Sequence, residues 1–88
     1  MTDNLLPFIP FNGNLVKTRM IHGGIQYLWK FANNYQASLV NHNFNYGWEL
    51  AVMKDDEIVY DTPVTSDVIG HVDVENDLEG LLQQIKDL

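Results

Sequence analysis

The chain contains no cysteine. Disulfides and thiolate metal sites are therefore excluded, and a reducing compartment suits the protein. Positive charge is also scarce, with 5 basic residues against 12 acidic ones and a net charge of −7. Direct binding to nucleic acid needs a positive footprint, so no such contact is expected. No apolar run approaches the roughly 18 residues that a membrane span requires. The opening stretch MTDNLLPFIPF lacks the positive n-region of a signal peptide, and two prolines interrupt its apolar part. A chain that neither crosses a membrane nor is exported is the expectation. Repeats and low-complexity tracts are absent too.

What is present is a normal globular composition, 45% hydrophobic over 88 residues, enough for one domain with a small core. The charge is uneven. Residues 1–54 hold four basic and two acidic groups, whereas residues 55–88 hold one basic and ten acidic groups. The acidic half confers solubility and would also attract a basic partner.

Residues 1–14 read as an irregular N-terminal arm. Leu5, Leu6, Phe8, Ile9 and Phe11 are interrupted by Pro7 and Pro10, which favour extended backbone, and Asn12-Gly13-Asn14 turns the chain. Residues 15–88 read as a single domain. Its first part alternates apolar and polar residues over about 15–21, 25–31, 35–41, 48–54 and 57–61. Short connections favour hairpins over crossovers.

Register follows from face matching. A three-residue loop, Ala32-Asn33-Asn34, pairs Phe31 with Tyr35, Trp29 with Ala37 and Tyr27 with Leu39, which keeps one face apolar. Asn34 suits the left-handed position of such a loop. A turn at Gly23-Gly24 predicts Met20 opposite Tyr27, Thr18 opposite Trp29 and Val16 opposite Phe31. A loop over 42–47 predicts Leu39 opposite Leu50 and Ala37 opposite Val52. Asp55-Asp56 form the last hairpin turn, with Val52 facing either Val59 or Tyr60, and Pro63 ends the strand region.

The C-terminus predicts a helix over about 74–87. Asp73 is placed as its N-cap, and Val74, Leu78, Leu81, Leu82, Ile85 and Leu88 form one apolar face. Gly80 weakens it. The expected fold is α+β: an antiparallel meander of four to five strands, with the C-terminal helix packed on its aromatic face.

Catalytic motifs do not emerge. His22, His42 and His71 lack metal-ligand spacing, and the acidic run at 55–61 does not match a calcium loop. Gly23-Gly24 lacks the rest of a phosphate loop, and no serine or threonine sits in a nucleophile motif. A non-enzyme without metal or cofactor is expected. Candidate contact residues for a protein partner are the carboxylates Asp55, Asp56, Glu57 and Asp61, the loop aromatics Phe44 and Tyr46, and Phe8 and Phe11 of the arm. The loop HNFNYG serves either as a plain connection or as an exposed recognition loop. The arm either covers the core or docks onto another protein or a second copy. Lys17, Arg19 and Lys30 share the outer face, read as a solvated one rather than as a track for single-stranded nucleic acid.

From about residue 23 onward, GGIQYLWKF (23–31), YQASLV (35–40), YGWELAVM (46–53) and YDTPVTSDVIGHV (60–72) precede an acidic amphipathic helix. In this order and spacing the chain resembles a family of small proteins encoded by bacteriophages and prophages, over about three-quarters of its length. The resemblance implies a phage-type origin and the cytoplasm of the bacterial host cell as compartment. It carries no functional residue over. The expectation is an accessory protein that binds a host protein stoichiometrically, as an acidic inhibitor of a defence or nucleic-acid enzyme. The alternative is a self-associating structural or virion-assembly protein, forming homo-oligomers through the arm.

Overall fold

The structure is a computed structural model that describes residues 6, 8–21, 23–41, 47–65 and 67–88. Five strands follow in chain order: β1 (Leu15–Ile21), β2 (Gly24–Lys30), β3 (Tyr35–Asn41), β4 (Glu49–Lys54) and β5 (Glu57–Ile58). They form one antiparallel sheet in the order β1-β2-β3-β4-β5. One helix, α1 (Leu78–Lys86), follows. The meander with one C-terminal helix is the expected α+β fold.

Side-chain alternation divides the sheet into two faces. The inner face carries Tyr27, Trp29, Leu39, Leu50 and Val52, all at most 4% exposed. The pairs Tyr27–Leu39, Trp29–Ala37, Leu39–Leu50 and Ala37–Val52 are those predicted. Phe31 accepts the Asn34 amide at 3.1 Å and donates to the Tyr35 carbonyl at 3.0 Å, and Asn34 adopts φ 72°. The three-residue loop is thus closed as expected.

The last hairpin resolves an open choice. Asp55 and Asp56 have φ of 55° and 65°, and Lys54 pairs with Glu57. Two consecutive left-handed residues make the tight turn whose twist matches the strands. The Val59 amide accordingly donates to Val52 at 2.9 Å. The strand itself ends at Ile58, shorter than the predicted 57–61. Beyond it the chain returns to β4, where Ile69 exchanges both backbone hydrogen bonds with Leu50 at 2.9 Å and Val72 donates to Trp48 at 2.9 Å. This return pairing takes the ladder positions that a longer β5 would have used.

The first hairpin differs from expectation by two residues. Thr18 lies opposite Tyr27 and Met20 opposite Ile25, with Ile21 opposite Gly24. A shift of two keeps every side chain on its own face, so hydrophobic pattern cannot distinguish the registers. Turn geometry decides instead: Gly24 belongs to β2, and Gly23 takes φ 79° as a turn residue. A bulge at Val16 then shifts the pairing by one, setting Leu15 opposite Trp29.

The helix starts four residues later than predicted. Residues 74–77 form turns, and Asp73 serves them rather than α1: its carboxylate accepts the amides of Glu75 at 3.0 Å and Asn76 at 3.1 Å. The apolar face is as expected. Leu78, Leu82 and Ile85 are fully buried, with Val74, Leu81 and Leu88 packed beside them.

The helix covers only part of the inner face, packing across β3. The described residues of the arm cover the rest. Pro10 is buried, and Leu6, Ile9 and Phe11 pack against the core. The Trp29 indole Nε1 donates to the Pro10 carbonyl at 2.8 Å, and the Leu6 amide donates to the Tyr27 hydroxyl at 3.3 Å. Phe11 meets Phe31 edge-on at 5.9 Å. Phe11 also has φ 51°, a left-handed kink that feeds a 3-10 turn at Asn12–Asn14. The arm is therefore kinked rather than uniformly extended.

Candidate functional site

The carboxylates selected from the sequence cluster around the β4–β5 hairpin. Asp55, Asp56, Glu57 and Asp61 are all exposed. The hairpin is held by a residue that sequence reasoning missed. Gln36, only 5% exposed, accepts the Asp56 backbone amide through Oε1 at 3.1 Å and donates through Nε2 to Asp56 Oδ1 at 3.3 Å. A primary amide carries a donor and an acceptor side by side, so Gln36 answers the Asp56 amide and carboxylate together. Asp56 is thus turned toward the sheet, while Asp55, Glu57 and Asp61 project into solvent on an anchored frame. The signal in the sequence was a polar residue at an interior sheet position, Gln36, flanked by Tyr35 and Ala37.

Beside this hairpin, an open groove of about 540 Å³ runs between α1 and the chain after β5, lined by Tyr35, Pro63, Val64, Gln84, Asp87 and Leu88. The Lys54 ammonium lies 5.0 Å above the Tyr35 ring, with its charge against the ring face. Asn33 closes the neighbouring corner. Its Nδ2 lies within hydrogen-bond distance of the carbonyls of Ile85 at 2.9 Å, Lys86 at 2.9 Å and Leu88 at 3.2 Å, while its Oδ1 accepts the Tyr35 amide at 3.0 Å. One side chain thus ties the β2–β3 loop to the open carbonyl end of the helix.

The remaining candidates are not gathered here. Phe11 is half-buried against Phe31, with the Lys86 ammonium 5.5 Å from its ring. Its role in the core answers for it. Phe8 differs: at 53% exposed it projects from an otherwise packed segment. Phe44 and Tyr46, like His22 and His42, lie outside the described residues.

The outer face bears Lys17, Arg19 and Lys30, as the alternation predicts. Arg19 Nε donates to Gln26 Oε1 at 2.6 Å, and Gln26 Nε2 donates to Ser38 Oγ at 2.7 Å, a polar chain across β1, β2 and β3. Between these groups the same face holds Leu28, Val40, Ala51, Met53 and Ile58. Among the described residues no three His, Cys, Asp or Glu side chains are placed to hold a metal ion, and no helix is long and apolar enough to cross a membrane. No protein-family model, curated protein or solved structure matches the chain.

Proposed function

We propose that the chain is a small phage-type accessory protein that acts by non-catalytic, stoichiometric binding to a host protein. In this reading the β4–β5 hairpin enters a basic surface of the partner, such as a groove that otherwise receives nucleic acid. The carrying observation is the rigid presentation of carboxylates. Asp55 and Glu57 are exposed at a turn that Gln36 holds from the sheet, and Asp61 is exposed three residues beyond β5. A pre-positioned charge array loses little side-chain freedom on docking and speeds encounter with an oppositely charged surface.

The test is capture from bacterial lysate at low and high salt. It is run with the native chain and with a variant carrying Asp55→Asn, Glu57→Gln and Asp61→Asn. The expected result is a partner retained by the native chain at low salt, lost at high salt and lost with the variant. Retention of nothing at low salt rejects the reading, and so does a partner that ignores the variant.

A second reading, self-association in a structural or virion-assembly role, is favoured by Phe8. Its ring stays exposed while Ile9, Pro10 and Phe11 around it are packed. Light scattering of the native chain and of Phe8→Ser tests that contact.

A further inference from the structure

Asn12-Gly13 is the one Asn-Gly pair in the chain. In such a pair the backbone nitrogen of the second residue can close on the side-chain carbonyl carbon of the first, giving a cyclic imide. Glycine offers that nitrogen with no Cβ to shield it and with the backbone freedom to reach the closing geometry.

The surroundings of Asn12 favour this reaction. Asn12 and Gly13 are both exposed, and a Cβ built on Gly13 meets nothing within 4 Å. The carboxamide of Asn14 is held by Lys30 and that of Asn33 by the last turn of α1, whereas no described residue bonds that of Asn12. The backbone is a single 3-10 turn, closed by the Asn14 amide on the Phe11 carbonyl at 2.8 Å and by the Leu15 amide on the Asn12 carbonyl. Helical geometry keeps the Gly13 nitrogen away from the carboxamide, so the turn must open before the ring closes. One exposed turn opens readily, and opening relieves the left-handed strain of Phe11 at φ 51°.

We propose that Asn12 is a self-modification site: it deamidates through a succinimide, and the resulting isoaspartate undocks the N-terminal arm. Base removes the Gly13 amide proton, and the nitrogen bonds to Asn12 Cγ. The Cγ–Nδ2 bond breaks, and Nδ2 takes up a proton and leaves as ammonia. Water then opens the ring. Addition at the backbone carbonyl leaves the chain running through Cβ and Cγ as isoaspartate, and addition at Cγ leaves ordinary aspartate. Water is the only co-reactant.

The site lies between two anchors. Before it, the Pro10 carbonyl accepts the Trp29 indole and Phe11 meets Phe31. After it, Asn14 Nδ2 donates to the Lys30 carbonyl at 3.2 Å and β1 begins. Isoaspartate lengthens the backbone between these anchors and turns the Asn12 carbonyl into a free carboxylate, off the main chain. The turn then no longer delivers Pro10 to Trp29 and Phe11 to Phe31. The change is irreversible, is set by time and pH, and does not depend on the host-binding reading.

The test holds the full chain at mildly alkaline pH and samples it over days. Peptide mapping and isoaspartyl methyltransferase labelling read the product. The Trp29 indole N–H resonance and chymotryptic cleavage after Phe11 read the arm. Isoaspartate is expected at Asn12 ahead of every other asparagine, faster as pH rises, with both arm signals changing in step. Gly13→Ala, its fold checked by circular dichroism, is expected to slow product and arm release together by roughly tenfold. The proposal is overturned by an Asn12 that persists as long as the other asparagines, or by aspartate as the sole product. A Gly13→Ala chain that reacts as fast as the native one overturns it too, as does isoaspartate at Asn12 with the arm signals unchanged.

Discussion

The indole Nε1 of Trp29 donates a 2.8 Å hydrogen bond to the carbonyl oxygen of Pro10. Trp29 is fully buried at the centre of the sheet, so this bond fixes the arm to the core where water cannot substitute. Trp29→Phe leaves the Pro10 carbonyl without that donor and opens space beside Tyr27, which stacks on Trp29 at 6.1 Å. The expected loss is about 2–4 kcal/mol in chemical denaturation. Limited proteolysis should then cut within residues 1–14 faster than in the native chain.

Asn33 bridges two segments far apart in sequence. Asn33→Ala removes its reach to the Ile85, Lys86 and Leu88 carbonyls and its acceptance of the Tyr35 amide. A loss of about 1–2 kcal/mol is expected, read as a lower thermal midpoint. Hydrogen exchange should quicken in the last turn of α1. An unchanged exchange pattern there would show that the amide contributes no cap.

Gly80 sits on the exposed side of α1, and a Cβ placed there meets nothing within 4 Å. Gly80→Ala therefore removes backbone freedom from the unfolded chain without a clash. A gain of about 0.5–1 kcal/mol is expected from the shift in denaturation midpoint.

At the hairpin, charge and stability separate. Asp55→Asn keeps a residue type that tolerates φ 55° while removing one carboxylate. Stability should stay within roughly 0.5 kcal/mol of the native chain. Partner capture at low salt should weaken all the same. Gln36→Leu should do the opposite damage, freeing the Asp56 amide and carboxylate from their anchor and destabilising the tip by about 1–3 kcal/mol.

Acid exposes the role of Asp73. The Asn76 side-chain amide, at 2.8 Å, and the Asn76 backbone amide hold its carboxyl below the usual aspartate range, with the Glu75 amide adding to them. A depressed folded value means the contribution is present above the unfolded pKa and is lost as pH falls through the folded one. Asp73→Asn should therefore lower stability at neutral pH and show a shallower decline on acidification. Parallel acid limbs for the two proteins would contradict this role.

The alternation over residues 25–54 was legible because a strand's face is a local property. Tyr27, Trp29, Leu39, Leu50 and Val52 had to share a side once the loops at 32–34 and 42–47 were assigned, and all five are buried. The carboxylates of the hairpin were legible for the same reason, as turn residues are exposed by default. Their anchor was not. Gln36 reaches Asp56 across 20 residues, a pairing that no local pattern encodes.

The sequence by itself thus determined an antiparallel meander of four to five strands, the two faces of the sheet and the apolar stripe of the helix, since periods of 2 and 3.6 residues are written into the chain. Tertiary structure alone decided the β1–β2 register, because a two-residue shift conserves both faces and only the turn at Gly23 distinguishes the choices. It also decided the docking of the arm on Trp29 and the capping of α1 by Asn33. Those bonds join residues 19 and 52 positions apart, and they form only where packing brings a buried donor to an acceptor that water has left.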